Sequence, residues 1–396
     1  MAKTIEQINE KIANGSVVVL TAEEIITAVR EQGLAKTART VDVVTTGTFS
    51  PMCSSGAFLN IKQPSEKMKL GGGFAFLNGV PAYAGLAAAD IYIGATALPD
   101  KDPRNGNGRP GRFAYGGAHV IAELAAGQKV TLRAGAYGTD CYPCKQRGQQ
   151  IGLEDTNDAF LFNPRNGYQN YNVAVNLSDR PIYTYMGKLN PNLGNANYCS
   201  AGQLSPLFND PYFRTIGVGT RVWLAGAQGY VVRHGTQHNP APPRHDNGTP
   251  LVAAGNLALI GDLKQMDPHW LKPVSFTGYG VTLSLGLGVA IPMVDEQMVR
   301  HVAVTDDDLL APVVDYSRYY PYGQGEPILG RVSYAQLKSG KIRIRGKDVP
   351  TGSFSSLAGA RQIACLLKEQ IQCGRFSLAQ AQQPLPSNGP DQEVPS

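Results

Sequence analysis

The sequence predicts an α/β fold in which mixed sheets are flanked by helices, with a loop-rich centre and, as one arrangement, two lobes. Residues 1–60 alternate helical apolar spacing with short buried strands. The segment 154–261 is instead rich in Asn, Gly, Pro and Tyr, and an amphipathic helix follows near the C-terminus. The length of 396 residues exceeds that of a typical single domain, which is why two lobes around one cleft are considered.

The N-terminal elements follow one another closely. A first helix is predicted over residues 4–13, because its isoleucines have helical spacing and Thr4 with Gln7 matches a capping box. A strand is predicted at residues 16–20, and a second helix opens with Thr21 and Glu24 and ends near Gly33. The apolar run 41–44 follows, and strands that read as continuous apolar runs favour a sheet buried on both faces.

Shorter elements are expected downstream. Residues 130–133 read as a strand, and residues 173–175 and 221–224 as brief strands between long loops that should shape a pocket. Residues 341–349 alternate apolar and basic around a glycine, which indicates a strand pair facing solvent on one side. The last helix is expected to place one apolar face inward and to end at a glycine; the residues concerned are Ile363, Leu366, Leu367, Ile371 and Gly374.

Composition sets the domain organisation and the function classes. Residues 1–377 read as one catalytic unit, and residues 378–396, rich in Pro, Ser and Gln, as a disordered tail. The net charge of +5 is scattered, which argues against nucleic acid and suits small anionic substrates. The apolar run 281–293 is too short and glycine-rich to span a bilayer, and no leader precedes it. We therefore expect a cytoplasmic protein without a membrane partner; homo-oligomerisation stays open.

Two cysteines stand in loops that follow predicted strands. Six cysteines are too sparse for a secreted disulfide scaffold, so those with a function should act chemically. Cys53 follows the strand at 41–44, among small polar residues that let a ligand approach; the alternative is a small residue packed in a turn. Cys141 follows the strand at 130–133 in a glycine-rich turn, with Lys145 and Arg147 near in sequence to favour the thiolate and Asp140 to oppose it.

Other candidate motifs are incomplete. Cys144 completes a Cys-Tyr-Pro-Cys spacing that could form a dithiol pair, but a lone CxxC is a weak signal. Cys199, Cys365 and Cys373 look less promising, with packing the favoured role for the last two. The histidines His234, His238 and His245 form no metal motif. The start Gly278-x-Gly280 lacks the third glycine of a dinucleotide fingerprint, so neither a metal nor a bound cofactor is predicted.

Several long strings resemble one family. They are TTGTFSPMCSSGAFLN, VPAYAGLAAADIYIGAT, AYGTDCYP, FNPRNGYQNYNVAVNLSDRPIYTYMG, NLGNANYCSAGQLSPLFNDPYFRTIGVGTR and LALIGDLKQM. Together they resemble the homocysteine biosynthesis family of L-aspartate semialdehyde sulfurtransferases, over residues 3–377. The resemblance implies conversion of aspartate 4-semialdehyde to homocysteine with sulfide, an external reductant and a cysteine persulfide. It assigns the YGTDCYP cysteine, Cys141, and the PMCSSG cysteine, Cys53, to that chemistry.

The resemblance also suggests a cycle. Sulfide would open a Cys53–Cys141 disulfide to leave a persulfide on Cys141, whose outer sulfur attacks the aldehyde before Cys53 resolves the sulfur–sulfur bond. Cys144 remains an alternative resolving thiol. Arg165 is a candidate for binding the substrate carboxylate, with Arg221 second, and either could instead be structural.

Family relatives often carry further domains or act beside a ferredoxin-containing partner, whereas this chain is expected to end in its tail. A separate ferredoxin-like protein is therefore the expected electron donor. Two alternatives stay open: sulfur insertion into a different aldehyde, and a persulfide carrier or thiol-redox protein without turnover.

Overall fold

The computed structural model describes residues 2–64, 66–99, 111, 113–317 and 328–389. The helices of these residues are α1 (Ile5–Ala13), α2 (Glu24–Gln32), α3 (Leu34–Thr40), α4 (Gly117–Ala125), α5 (Pro206–Asn209), α6 (Glu296–Val302), α7 (Tyr334–Lys338) and α8 (Leu357–Gln372). The strands are β1 (Val19–Thr21), β2 (Val43–Pro51), β3 (Gly56–Ile61), β4 (Phe74–Leu77), β5 (Val80–Ala82), β6 (Asp90–Gly94), β7 (Val130–Gly135), β8 (Gln146–Ile151), β9 (Thr156–Asn166), β10 (Val173–Val175), β11 (Ile182–Thr184), β12 (Gly187–Leu189), β13 (Ala196–Tyr198), β14 (Gly217–Val218), β15 (Arg221–Leu224), β16 (Ala227–His234), β17 (Leu257–Asp262), β18 (Leu271–Phe276), β19 (Gly280–Pro292), β20 (Leu310–Asp315), β21 (Ile328–Ser333), β22 (Lys341–Ile344), β23 (Lys347–Ser353) and β24 (Gln383–Pro384).

A large mixed sheet forms the centre of the molecule. Its strand order is β1-β2-β19-β15-β16-β17-β9-β3-β6, with β18 paired to β19 beside this path. The pair β1 and β2 is parallel, and β2 runs antiparallel to β19 along its whole length. Helix α8 packs on both of these strands. Strand β19 is buried throughout, which explains its mostly apolar sequence.

Two smaller sheets complete the frame. One has the order β21-β20-β10-β13-β23-β22 and surrounds an apolar cluster of its own. The other has the order β5-β4-β7-β8 and shares the apolar cluster of the large sheet. The predicted α/β class with mixed sheets and flanking helices is confirmed.

The two predicted N-terminal helices are confirmed, whereas the strand predicted at residues 16–20 is found at Val19–Thr21. Thr4 caps α1, and both hydrogen bonds of its capping box with Gln7 are present. The pair Thr21 and Glu24 makes the same reciprocal bonds before α2, at 2.7 and 3.2 Å. These local signals depend only on residues three positions apart, so tertiary packing did not override them.

The strand pair and the helix predicted near the C-terminus are also confirmed. The connection between β22 and β23 places Arg345 and Gly346 at positive φ, as a tight hairpin of this type requires. Helix α8 buries Ile363, Leu367 and Ile371. The middle of the chain holds more strand than predicted, because β9, β16 and β17 are adjacent members of the large sheet.

The prediction of a disordered tail over residues 378–396 is wrong for residues 378–389. Strand β24 pairs with β14, and Leu385 is 1% exposed. The segment packs on the folded body, so it does not need a core of its own, and its backbone carbonyls accept hydrogen bonds although its prolines donate none. Residues 390–396 lie outside the described part of the chain.

Neither membrane-spanning helices nor clustered metal ligands occur among the described residues. None of their helices is long and apolar enough to cross a membrane. They also contain no group of three His, Cys, Asp or Glu side chains that could hold a metal ion.

Candidate active site

A cavity of about 440 Å³ is lined by residues from both larger sheets. The loop after β2 contributes Cys53, the end of β9 contributes Arg165, and the loop after β13 contributes Cys199. The volume lies in the range of small-molecule sites. The cavity therefore joins two thiols and one guanidinium around a space of substrate size.

Cys53 is held by a tight turn between β2 and β3. The N–H of Met52 donates to Leu283 at 2.7 Å, and the hydroxyl of Ser55 donates to the carbonyl of Met52 at 2.8 Å. The buried Asn163 side chain then donates to the Ser55 hydroxyl at 2.6 Å. Cys53 is partly exposed at the cavity wall. The strand end and these polar contacts fix the position of Cys53 at the cavity wall.

Arg165 lies on β9 with its side chain at the same cavity. Its Nη1 donates to the amide oxygen of Gln237 at 2.6 Å. Within the described chain it has no carboxylate partner at ion-pair distance. Since a guanidinium carries five N–H donors, it can still bind a substrate carboxylate through two of them.

Tyrosines form one wall of the cavity. The hydroxyls of Tyr171 and Tyr185 are 2.8 Å apart, and the ring of Tyr185 lies 6.0 Å from that of Tyr279. Partial burial raises the pKa of Tyr279, and the neighbouring Cys53 adds to this effect. The buried Asn170 side chain donates to Pro250 and Leu310 and so anchors the loop that carries Tyr168 and Tyr171. These aromatic groups form an apolar wall that narrows the cavity.

Cys199 was not among the favoured candidates, yet it lines the cavity. It follows β13, which is held between β10 and β23. Although part of its surface stays open, burial of the thiol raises its pKa to about 11. The sequence signal was present, because Cys199 lies within one of the strings that carry the family resemblance. Its small polar neighbours gave no chemical reason to select it.

Cys141 lies in the connection between β7 and β8, on the smaller four-stranded sheet. It is exposed, and its sulfur is 3.5 Å from the hydroxyl oxygen of Thr139. The described lining of the cavity includes Cys53 but not Cys141. All six cysteines lie in the described part of the chain and are free thiols, so no disulfide joins Cys53 to Cys141 here.

Lys69 interacts electrostatically with Cys141, although the two residues lie far apart in sequence. A hydrogen bond to Tyr137 at 2.7 Å raises the pKa of Lys69, and Cys141 is among the groups that add to this effect. Arg147 is instead directed at Gln63 and the carbonyl of Glu66. Lys69 comes from a loop 72 residues earlier than Cys141 in the chain numbering, so sequence proximity could not reveal it.

Cys144 and Arg221 are placed apart from the cavity. Cys144 is buried and donates to the carbonyl of Gln146 at 3.2 Å. Arg221 donates to the backbone carbonyl of Ser377 at 3.0 Å and to its hydroxyl. Neither belongs to the described cavity lining. For Arg221 this geometry agrees with the structural alternative, since it fixes the start of the C-terminal segment.

Residues 17–378 match the family described as "Homocysteine biosynthesis enzyme, sulfur-incorporation". The chain belongs to this family. Every cysteine discussed above and Arg165 fall within the matched range. No solved structure matches this homocysteine biosynthesis family member.

Two relatives carry the name L-aspartate semialdehyde sulfurtransferase. The one from Methanosarcina acetivorans is 44% identical over 387 residues, which cover 98% of this chain and 73% of the relative. The one from Methanocaldococcus jannaschii is 45% identical over 391 residues, which cover 96% of this chain and 72% of the relative. A protein of Methanothermobacter thermautotrophicus without assigned function is 27% identical over 349 residues.

Proposed function

We propose that this member of the homocysteine biosynthesis family converts L-aspartate 4-semialdehyde to L-homocysteine with sulfide and an external reductant. The family match and the two named sulfurtransferases support this activity. The observation that carries it is the cavity in which the Cys53 thiol and the Arg165 guanidinium line the same small space. The aldehyde of the substrate requires a sulfur nucleophile, and the α-carboxylate at its other end requires a cation.

The overall chemistry requires both sulfur and electrons. Condensation of the aldehyde with hydrogen sulfide gives a thioaldehyde and water, without any change in oxidation state. Two electrons and two protons then convert the thioaldehyde to the thiol of homocysteine. A reductant is therefore part of the reaction, and we assign this role to a separate ferredoxin-like protein in the cytoplasm.

Arg165 orients the substrate in this proposal. Its free N–H groups bind the α-carboxylate in two parallel hydrogen bonds, which fixes direction as well as position. The aldehyde end then points towards the thiols, while the tyrosine wall limits access of water. Holding both reactants in one geometry is worth several kcal/mol of the barrier, roughly 7 at the lower end for a well-aligned pair.

Cys141 keeps the predicted role of persulfide carrier. Its exposure makes it accessible to sulfide, which leaves a persulfide on Cys141 when it opens a Cys53–Cys141 disulfide, and to donors of sulfane sulfur, which transfer that sulfur to the free thiolate. Because Cys53 lines the cavity, the outer sulfur of a Cys141 persulfide would pass to the substrate only when the β7–β8 connection approaches that cavity. Cys144 is the less favoured resolving thiol, since its sulfur is buried in the apolar cluster.

The test is product formation by the purified protein. We expect homocysteine when semialdehyde, sulfide and a strong reductant are supplied together, and none when any one is omitted. A panel of other aldehydes measures acceptor specificity. Formation of a different thiol with higher kcat/KM would replace the substrate in this proposal, and no thiol product with any aldehyde would favour a carrier without turnover.

Intact-mass measurement after sulfide treatment tests the persulfide. We expect wild type and the Cys144→Ala variant, each first oxidised so that Cys53 and Cys141 form a disulfide, to gain one sulfur atom when sulfide opens that disulfide, and the Cys141→Ala variant to gain none. If the Cys141→Ala variant gains the sulfur atom and still makes homocysteine, the role assigned to Cys141 is wrong.

A further inference from the structure

Two thiols, and not one, line the cavity: Cys53 from the loop after β2 and Cys199 from the loop after β13. They come from different sheets and are separated by more than a hundred residues of chain. Burial raises the pKa of the Cys199 thiol, and the neighbouring Cys53 adds to this effect. The fold thus brings a second, unassigned sulfur into the space where the substrate would bind.

Buried hydroxyl groups connect Cys199 to β2, the strand that precedes Cys53. The sulfur of Cys199 lies 4.0 Å from the hydroxyl oxygen of Ser355. That hydroxyl is 2.8 Å from the hydroxyl of Ser50, which is 2.9 Å from that of Thr48. All three hydroxyl residues are buried, so they are fixed partners and not surface groups. Such a row can accept a hydrogen bond from the thiol or donate one to the thiolate, and packing alone would not require it.

We propose that Cys199 is a catalytic residue that acts with Cys53 as a dithiol and delivers the two electrons that the thioaldehyde requires. This inference rests on the proposed function and adds the site of electron transfer to it. An external dithiol or reduced iron–sulfur protein then restores both thiols from the disulfide.

The step balances in atoms and electrons. The Cys53 thiolate bonds to the sulfur of the thioaldehyde, and the thioaldehyde carbon takes up a proton. This gives a mixed disulfide between the product and Cys53. The Cys199 thiolate then attacks the Cys53 sulfur, and the product leaves as a thiolate that takes the second proton. One thioaldehyde and two thiols become one thiol product and one Cys53–Cys199 disulfide.

The positions of the other cysteines favour Cys199 for this role. Cys144 is buried in the apolar cluster, and Cys141 is exposed on a different sheet. Cys365 lies on the exposed side of α8, and Cys373 follows that helix. Of the described residues that line the cavity, Cys53 and Cys199 are the two that carry thiols.

A single-turnover experiment tests the dithiol. The full-length protein is reduced, freed of reductant under anaerobic conditions, and mixed with semialdehyde and sulfide. Wild type should form up to one equivalent of homocysteine per chain, together with a Cys53–Cys199 disulfide that peptide mapping detects after alkylation. The Cys199→Ser and Cys199→Ala variants should form no homocysteine in this burst, whereas Cys365→Ser should match wild type.

The outcomes separate the two proposals. If the Cys199 variants give the wild-type burst, or if the disulfide joins Cys53 to Cys141, the dithiol inference is overturned while the proposed function stands. If wild type makes no homocysteine even with excess dithiothreitol, both are overturned. Circular dichroism of the two Cys199 variants, which differ in polarity, distinguishes loss of the thiol from loss of the fold.

Discussion

Arg165 is the residue whose charge should set substrate affinity. The Arg165→Gln variant keeps hydrogen-bonding capacity but loses the cation, and a hydrogen bond to a charged group contributes about 1.5 to 3 kcal/mol. We expect KM for the semialdehyde to rise roughly 10- to 100-fold, with a smaller change in kcat. Steady-state kinetics measure this, and Arg233→Gln, an exposed arginine on β16, serves as the matched control. An unchanged KM in the Arg165 variant would remove the carboxylate assignment.

The Cys199 thiol should show a distinctive pH dependence. Burial raises its pKa to about 11, so the neutral thiol is retained at physiological pH and the reactive thiolate appears only as pH rises. Alkylation of Cys199 by iodoacetamide should therefore accelerate about tenfold per pH unit from pH 7 to pH 10. Site-resolved mass spectrometry measures the rate, with Cys53→Ala used to isolate it. If the alkylation rate instead reaches a plateau near pH 9, the pKa of Cys199 is that of an ordinary thiol.

The sequence pointed to two of the residues that line the cavity. Cys53 and Arg165 stood out because small polar residues after a strand, and an arginine in an unusual polar string, have local signatures. Cys199 and Lys69 did not, because their significance depends on what lies opposite them in space. A thiol becomes a candidate when a second thiol shares its cavity, and no spacing along the chain reports that.

At the level of single elements, Gly47 determines how closely α8 can approach β2. A Cβ at this position would lie 2.2 Å from the backbone carbonyl oxygen of Ala360, which cannot move aside as a flexible side chain would. We expect Gly47→Ala to lower the free energy of unfolding by about 3 kcal/mol or more. Urea denaturation measures the loss.

The same substitution also affects the site, because β2 positions Cys53. Gly94→Ala is the matched control within the same sheet, since a Cβ there meets no atom within 4 Å. Equal stability of the two variants would mean that α8 adjusts its position freely. In that case the close packing of α8 would not be what fixes the end of β2.

Elements were predictable where their signals are short-range. Capping boxes, the Arg345–Gly346 hairpin and the apolar face of α8 each depend on residues within a few positions of one another. The strands β9, β16 and β17 were underestimated because their polar and glycine-rich sequences lack a continuous apolar run. Their partners across the large sheet, and not their own propensity, keep them extended.

The order of strands in the large sheet could not be read from the chain. Strand β2 pairs with β19, and β3 pairs with β9, across long separations in sequence. These pairings depend on which apolar faces complement each other after folding, whereas composition and periodicity describe only each segment by itself. The cavity is a product of this order, because its thiols belong to different sheets.

The C-terminal segment 378–389 links the two ends of the chain to the site. Its first residue, Leu378, exchanges two hydrogen bonds with Asn9 on α1, at 2.9 and 3.0 Å. Further along, the carbonyl of Pro386 contacts the ring nitrogen Nε2 of His238 at 2.8 Å. His238 follows Gln237, whose amide oxygen accepts from Arg165. The segment therefore supports the proposed carboxylate-binding arginine through one intermediate loop.

Removal of residues 379–396 should consequently weaken substrate binding more than it slows chemistry. Loss of the support on Gln237 loosens one hydrogen bond to a charged group, so we expect KM to rise about tenfold with kcat within a few-fold of wild type. Truncation of residues 390–396 alone is the control, because it leaves the packed segment 378–389 in place. Asn388→Ala, which removes the side-chain hydrogen bonds with Arg244 and with the carbonyl of Pro242 while keeping the chain intact, should reproduce part of the effect. If both variants fold, as thermal unfolding would show, and both keep the wild-type KM, then Gln237 holds Arg165 without help from the C-terminal segment.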